Sequence, residues 1–398
     1  MKKQLLIWIF CAAIFIFGTQ VVYAADEPAK FTWHGYISQG ITQSVDSNFI
    51  TSDNDITGEL TELGINGHYR LTNNLSVAGQ VVYLDGGNRF EQGARVDYLF
   101  LDWSINDIWG WQGQVHLGRF KNRHWLYSVT RDVPQTRDTA VLPQSVYFDS
   151  FRDVALGSDG IQTSFKRYSN DNIWEVNWSY GSSDINEAQK NFLLGNIASG
   201  EIEQDFVHQF SVFWQPSTMA WKLGLSWLES DFTYQASVMD NRFDGEANIR
   251  RFMFSAQYFS ENWQLSSEIL RELQDSQGLF APNFRERRTA EGGFVQFRYL
   301  FNSKVSGLVS YDTYVNNVSD PDGKQLEQSS FGQIPAYFGY VDTIAVGARW
   351  DFAPGWRIQA EHHWVEGATR AVSLLDPNIK DRSDKYWRMW SVQLMYWF

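Results

Sequence analysis

The last residues of the chain, 386–398, constrain its fold more than any other stretch. Their apolar positions follow one another at every second residue, namely Trp390, Val392, Leu394, Tyr396 and Phe398. A period of two is typical of a β-strand with two unlike faces, and Ser391 and Gln393 lie on the other face. Such a strand would aggregate at the edge of a soluble sheet, whereas it suits a strand that faces lipid. This stretch alone is compatible with an edge strand of a soluble β-sandwich and with a membrane barrel.

The amino-terminal residues 1–24 are typical of a secretory signal peptide. Lys2 and Lys3 precede an apolar run at 5–17, which is shorter than the roughly 20 residues of a membrane-spanning helix. Small residues then precede Ala25. The single cysteine of the chain lies inside this segment. We therefore predict that the exported chain, 25–398, is one domain without disulfides.

Composition helps to distinguish a membrane barrel from a soluble enzyme and from a nucleic-acid-binding protein. Aromatic residues make up 16% of the chain and include 18 Trp, although the mean hydropathy is −0.36. Aromatic rings collect at both interfaces of membrane barrels, so this content favours a barrel over a soluble enzyme. The formal net charge of −13 argues against a nucleic-acid partner.

A hairpin rhythm runs from Ala25 to the carboxyl terminus. Short turns rich in Asn, Asp, Ser, Pro and Gly alternate with longer polar loops. The alternating segments predict about sixteen strands, near 31–42, 58–71, 75–85, 94–105, 111–121, 158–168, 172–182, 206–215, 219–229, 247–259, 263–273, 288–301, 305–316, 337–352, 356–368 and 386–398. We expect an all-β fold, a transmembrane antiparallel up-and-down barrel whose last strand closes on the first.

The two faces of several segments differ in polarity. In 263–269, Leu265 and Ile269 alternate with Ser266 and Glu268. Apolar residues outside and polar residues inside are the inverted pattern of a transmembrane barrel with a water-filled interior. Segment 94–103 is less regular, because Arg95 and Asp97 share the parity of Leu99, and its register is left open.

The longest loop covers residues 122–157, the third long loop of the chain. It mixes Trp125, Tyr147 and other apolar residues with adjacent Arg-Asp pairs such as Arg131-Asp132 and Arg137-Asp138. A loop in water has no use for this apolar content. We therefore expect the loop to fold into the lumen and narrow it.

These features together resemble the general bacterial porins of Gram-negative outer membranes. The resemblance rests on the signal peptide, the strand number, the long third loop and the terminal Phe398. It implies an outer-membrane channel, assembled as a homotrimer, for passive diffusion of small hydrophilic solutes and ions. Outer-membrane lipid, lipopolysaccharide and the assembly machinery would be its other partners, with Phe398, Tyr396 and Leu394 as the assembly signal.

The resemblance also implies a constriction with acidic loop residues opposite basic wall residues. The loop candidates are Arg131, Asp132, Arg137, Asp138, Asp149, Arg152 and Asp153. The wall candidates are Arg119, which follows Gly118 at the end of the fifth strand, and Arg298, Arg349 and Arg357 from their inward parity. Porin loops of this kind are usually dominated by acidic residues, so the arginines leave the ion preference open. The Arg-Asp pairs either contact solutes or brace the loop.

The sequence is compatible with three functions. The first is a general diffusion pore, and the second is a substrate-selective channel with an Arg-lined site for anions such as phosphate or carboxylates. The third is an outer-membrane enzyme or adhesin, for which the sequence offers no catalytic residue. We expect no cofactor and no metal site. His362 and His363 are neighbours on a strand and point to opposite faces, and the other histidines lack ligand spacing.

Overall fold

The computed structural model describes residues 29–152 and 157–398. The predicted signal peptide and Asp153 lie outside these residues. Within the described ranges, no helix is long and apolar enough to cross a membrane.

Sixteen antiparallel strands of the described chain form one closed barrel. They are β1 Phe31–Ser47, β2 Thr61–Arg70, β3 Leu75–Asp85, β4 Gly93–Ile108, β5 Trp111–Lys121, β6 Gly157–Tyr168, β7 Asn172–Ser182, β8 Glu201–Pro216, β9 Trp221–Gln235, β10 Gly245–Phe259, β11 Trp263–Gln277, β12 Arg285–Leu300, β13 Val305–Val315, β14 Tyr340–Ala353, β15 Trp356–Gly367 and β16 Ser383–Trp397. Two short helices, α1 Glu187–Leu194 and α2 Lys324–Ser329, lie in loops. All sixteen predicted strands are confirmed in order.

The barrel closes where the first strand meets the last, as the sequence predicts. Ile37 pairs with Tyr396, and Thr42 pairs with Ser391. Phe398 continues this pairing beyond β16, since its backbone N–H donates to the Gly35 carbonyl at 3.0 Å. The sheet therefore has no free edge, which excludes the edge-strand interpretation of the carboxyl terminus.

The two faces of the sheet have the predicted polarity. On β11, Ile269 is 59% exposed to the outside, whereas its neighbour Glu268 is buried inside the barrel. Outward aromatic rings form a chain of contacts along the edge that carries the short turns, for example Trp221–Tyr258 at 4.5 Å and Tyr258–Trp263 at 4.9 Å between ring centroids. An apolar outer wall with an aromatic girdle matches a barrel surrounded by lipid.

A β-bulge explains the irregular parity of β4. Gln80 pairs with Tyr98, and the next residue, Val81, pairs with Val96, so Asp97 is the extra residue. A bulge of this kind changes which residues of the strand face inward. Asp97 therefore lies inside the barrel although Leu99 lies outside.

Candidate functional site: the long segment and the barrel wall

The connection between β5 and β6 is described over residues 122–152, called the long segment below. It consists of tight local turns. The backbone N–H of Ser128 donates to the Trp125 carbonyl, and the Thr136 hydroxyl donates to the Val133 carbonyl at 2.7 Å. A further turn begins at Pro143, whose carbonyl accepts the Tyr147 N–H at 2.9 Å. These turns satisfy backbone groups that a buried loop would otherwise leave unpaired.

The apolar side chains of the long segment pack against inward side chains of the barrel wall. Their cluster joins Trp125, Leu142 and Tyr147 to residues of nine strands, among them Leu270 on β11 and Met389 on β16. Burial of this apolar surface stabilises the arrangement by roughly 25 cal/mol per Å² removed from water. The inner wall is thus not uniformly polar, because the neighbouring strands β8 to β16 contribute apolar side chains that contact the segment.

Three wall carboxylates hold the backbone of the long segment. Glu361 on β15 accepts the N–H groups of Ala140 and Val141 at 2.8 and 3.1 Å. Asp312 on β13 accepts the N–H groups of Gln144 and Ser145 at 3.0 and 3.2 Å. Hydrogen bonds to charged groups are stronger than neutral ones, so these carboxylates fix the height of the segment.

Glu268 on β11 is the third of these carboxylates. It accepts the N–H of Leu126 at 3.0 Å and the hydroxyl of Tyr147 at 2.5 Å. Since β11 and β15 are separated by three strands, the segment is anchored at several points around the ring.

Asp132 lies in a buried cluster near β4 and β5. Its carboxylate pairs with Lys121 of the wall and with Arg152 of the segment, and Lys121 also pairs with Asp97. The hydroxyl of Tyr36 on β1 donates to the Asp132 carbonyl. The sequence candidates Asp132 and Arg152 are therefore brought together.

Asp149 occupies a second buried cluster. Arg131 donates to its carboxylate at 2.5 Å, and Arg89, from the loop between β3 and β4, lies 3.4 Å away. The Arg131 guanidinium also donates to the Tyr147 carbonyl at 2.8 Å. Arg137 forms a third buried pair, with Glu62 on β2.

Asp138 faces the basic part of the wall. Its carboxylate pairs with Arg298 on β12 and lies 3.4 Å from Arg349 on β14, and Gln296 donates to it at 2.9 Å. The Arg298 and Arg349 side chains remain 19% and 17% exposed, whereas that of Asp138 is 7% exposed. The accessible charge at this position is therefore mainly positive.

Arg357 completes the basic wall. It pairs with Asp351 at 2.5 Å and donates to the carbonyl of Gln135 in the long segment, while Arg349 lies 3.6 Å from the same aspartate. The three wall arginines predicted from parity thus lie next to one another, between β12 and β15.

Arg119 lies apart from this cluster. It forms a two-point pair with Asp159 on β6 at 2.9 and 2.6 Å, and its side chain is more than one third exposed. Its neighbour Lys121 contacts the long segment in its place. The position of Asp153 relative to these groups is not described.

Sequence reasoning missed most wall partners of the long segment. Lys121, Glu62, Glu268, Asp312 and Glu361 look like any other polar residues on an inward face. Only the spatial course of the segment distinguishes them. Even so, inward parity was a usable signal for each residue on a regular strand.

Much of the polar inner wall is withdrawn from water at this level. Gln393, Asn177 and Gln209 lie on β16, β7 and β8, and each has an exposed fraction of 0%. The long segment and its apolar cluster cover side chains that would be wet in a wide pore. These inward side chains are therefore shielded by the long segment.

The surroundings of the single histidine in the long segment change its pKa. Burial lowers the pKa of His124 to about 3, so the ring is neutral near pH 7. Its Nε2 atom lies 3.0 Å from the hydroxyl of Ser179 on β7. Among the described residues, no group of three His, Cys, Asp or Glu side chains is arranged to hold a metal ion. His362 and His363 do point to opposite faces of β15, as predicted: the His362 ring contacts outward Trp364 at a tilt of 58°, and His363 contacts inward Glu361.

Known proteins were compared with the chain by sequence and by structure. No protein-family model matches the sequence, and no curated protein matches it either. Solved structures do match the fold. The outer-membrane channel DcaP of Acinetobacter baumannii is 10% identical with a TM-score of 0.57, and the match covers 95% of this chain and 100% of that one.

Two further structures match over nearly their whole length. The anion-selective porin from Comamonas acidovorans is 10% identical with a TM-score of 0.55, covering 92% of this chain and 99% of that one. The trimer form of OmpT, an outer-membrane protein of Vibrio cholerae, is 12% identical with a TM-score of 0.54 and the same two coverages. At these identities the likeness concerns the fold. The chain has the sixteen-stranded barrel fold of these solved outer-membrane channels and porins.

Proposed function

We propose that the protein is a porin, a channel through which small hydrophilic solutes and ions diffuse across the outer membrane, and that the long segment lies in the lumen as its constriction. The short turns would face the periplasm and the long loops the exterior. The main support is the set of contacts from the long segment to strands around the whole ring, including Glu62 on β2, Glu268 on β11 and Glu361 on β15.

The charged groups at Asp138 would act on passing solutes. Asp138 and Asp351 lie against Arg298, Arg349 and Arg357, so positive and negative charge are separated over a short distance. Such charges in a low-dielectric wall produce a local field that orients dipolar solutes. Rings of charge also set ion selectivity.

Three buried arginines of the long segment would brace it. Arg131, Arg137 and Arg152 are buried, and each pairs with a buried carboxylate. A buried charge that loses its partner is costly, so these pairs fix the segment more than they attract solutes.

A second candidate function is an anion-selective channel. It is favoured by the greater exposure of Arg298 and Arg349 than of Asp138. Anions such as phosphate or carboxylates would then bind at Arg298, Arg349 and Arg357. The candidate site would need no cofactor and no catalytic residue.

Planar-bilayer recording with purified protein tests both proposals. A general pore gives ohmic currents that millimolar phosphate and sugars leave unchanged. If the channel has an anion site, phosphate should block the current, and the reversal potential in a KCl gradient should show preference for chloride over potassium. Both effects should be lost in the double variant Arg298→Ala plus Arg349→Ala. Absence of current in protein of verified fold would refute the channel, and hydrolytic activity that co-purifies with the barrel would favour an enzyme.

The assembly around the barrel is proposed by the same reasoning. A homotrimer agrees with the trimer form of the Vibrio cholerae protein. The apolar outer wall would contact outer-membrane lipid and lipopolysaccharide, and the terminal strand would contact the assembly machinery. Molecular mass of the unheated protein in detergent tests the trimer.

A further inference from the structure

Two loops from opposite sides of the barrel meet over its outer mouth. One connects β7 to β8 over residues 183–200 and carries α1, and the other connects β15 to β16 over residues 368–382. Eight strands separate the two loops in either direction around the ring. At about 4.8 Å per strand and a tilt of about 40°, a ring of this size is roughly 30 Å across. Contact between them therefore requires that they bridge the opening.

The contact between these loops is direct but small. The Ser373 hydroxyl donates to the carbonyl of Phe192 on α1 at 2.7 Å. Gly195 lies so close to Leu375 that a β-carbon at Gly195 would be 3.2 Å from the Leu375 β-carbon. A single neutral hydrogen bond contributes little net stability, so this bridge can open at a low free-energy cost.

The bridge also rests on the long segment beneath it. The rings of Phe192 and Phe148 meet edge to face with centroids 5.1 Å apart. Arg370, at the base of the β15–β16 loop, donates to the carbonyls of Gln144 and Ser145 at 2.9 and 2.6 Å. Its guanidinium lies 3.6 Å from the centre of the Tyr314 ring, a cation–π contact with the wall.

The backbone of Arg370 is strained in this position. Its φ angle is +65°, in the left-handed region that favours glycine. Such strain persists only where the surrounding contacts hold it, and it often marks elements with two states. Arg370, which joins the bridge to the long segment, therefore keeps this backbone conformation only while its contacts are in place.

A cavity of about 40 Å³ lies directly beneath Arg370. Its lining includes Thr139 of the long segment and Asp312, Trp387 and Met389 of the wall. The hydroxyl of Thr139 is buried and has no hydrogen-bond partner among the described residues. The segment thus leaves a gap to the wall at this point, between β13 and β16.

We propose that residues 183–200 and 368–382 form a strap that closes the outer mouth, with Arg370 as the latch that holds the long segment against β13–β16. When the strap parts, Arg370 leaves the Gln144 and Ser145 carbonyls, and the cavity beside Thr139 widens into the passage. This gate rests on the proposed channel function. The numerous buried ion pairs of the long segment keep its other half in place.

The strap is tested by recording the conductance of one variant in which a disulfide joins the two loops and of another in which the Arg370 contacts are removed. Gly195→Cys plus Leu375→Cys places two β-carbons near the roughly 3.8 Å of a disulfide. Oxidation should lower the open probability at least tenfold, and reduction should restore it. Arg370→Ala should raise the open probability several-fold. The control is Arg382→Ala, which removes another arginine of the same loop, one that pairs with Asp376, and it should leave the open probability unchanged. Equal open probability in oxidised and reduced protein, with the crosslink verified by mass spectrometry, overturns the strap.

A second measurement does not depend on conduction. It also tests the strap if strain at Gly195 prevents the disulfide from forming. Thr139→Cys should react slowly with a membrane-impermeant maleimide and about tenfold faster when combined with Arg370→Ala. Unchanged labelling in that variant overturns the strap even if currents are present. Labelling that responds as expected without any current refutes the channel and retains the strap.

Discussion

Asp138 of the long segment pairs with Arg298 of β12 and brings a buried negative charge against a partly exposed positive one. Asp138→Asn should remove most of the attraction while keeping the shape. We expect Arg298 and Arg349 to become more available, so that the reversal potential in a KCl gradient moves toward anions. Asp184→Asn, a change of equal charge at a fully exposed loop position, is the control. An equal shift in both variants would show that only net charge matters.

The buried pair of Arg137 and Glu62 offers a test of bracing. Arg137→Ala leaves Glu62 buried without its cation, and we expect a loss of about 3 to 5 kcal/mol in unfolding free energy. Arg137→Leu combined with Glu62→Leu should recover most of that loss, because no unpaired charge remains. Unfolding by denaturant in lipid vesicles measures both. Equal losses in the single and double variants would argue against an unpaired charge as the cause.

Glu361 should act through its charge. Glu361→Gln keeps the size of the side chain but weakens the hydrogen bonds to Ala140 and Val141, at a cost of about 1.5 to 3 kcal/mol. The long segment should then be cleaved faster by added protease, with the barrel intact. Glu366→Gln, near the outer end of the same strand and outside these contacts, serves as the control.

Acid should loosen the long segment at His124. Burial holds its pKa at about 3, below the usual 6.5, so the unfolded chain binds a proton that the folded chain excludes. The contribution is fully present above pH 6.5 and is lost as the pH falls toward 3. His124→Gln should therefore reduce the loss of stability between pH 7 and pH 4. The same pH profile in both proteins would contradict this role.

The carboxyl terminus should control assembly. Phe398 contacts Trp33 edge to face at 5.3 Å and covers Gly35, and Leu394 faces outward. Deletion of Phe398, or Leu394→Asp, should reduce the amount of heat-modifiable barrel in the outer membrane, while Leu394→Ile should not. Normal amounts of barrel in the first two variants would refute the assembly signal.

Strand number and order could be predicted from the sequence, whereas the outer ends of several strands could not. The prediction for β11 stopped at residue 273, but the strand continues to Gln277, and β12 begins at Arg285. Both extensions carry polar residues on both faces. Above the lipid the outer face also meets water, so the period-two signal disappears there.

The candidate site was predictable only in part. Inward parity identified Arg298, Arg349 and Arg357, and apolar content suggested a packed loop. The pairing of Asp138 with two of these arginines depends on contacts more than 150 positions apart in the chain. At β4 the bulge at Asp97 shifted the parity, which no periodicity reveals.

The pairing of Gly35 with Phe398 has a consequence for the time course of folding. These partners belong to the first and the last strand, so the seam between β1 and β16 joins residues that are far more distant in sequence than those of any hairpin. Hairpins between neighbouring strands close short loops and can form early, whereas this seam cannot form before β16 is available. Until then both outer strands expose unpaired backbone groups, and a folding helper that covers them would act at the final step.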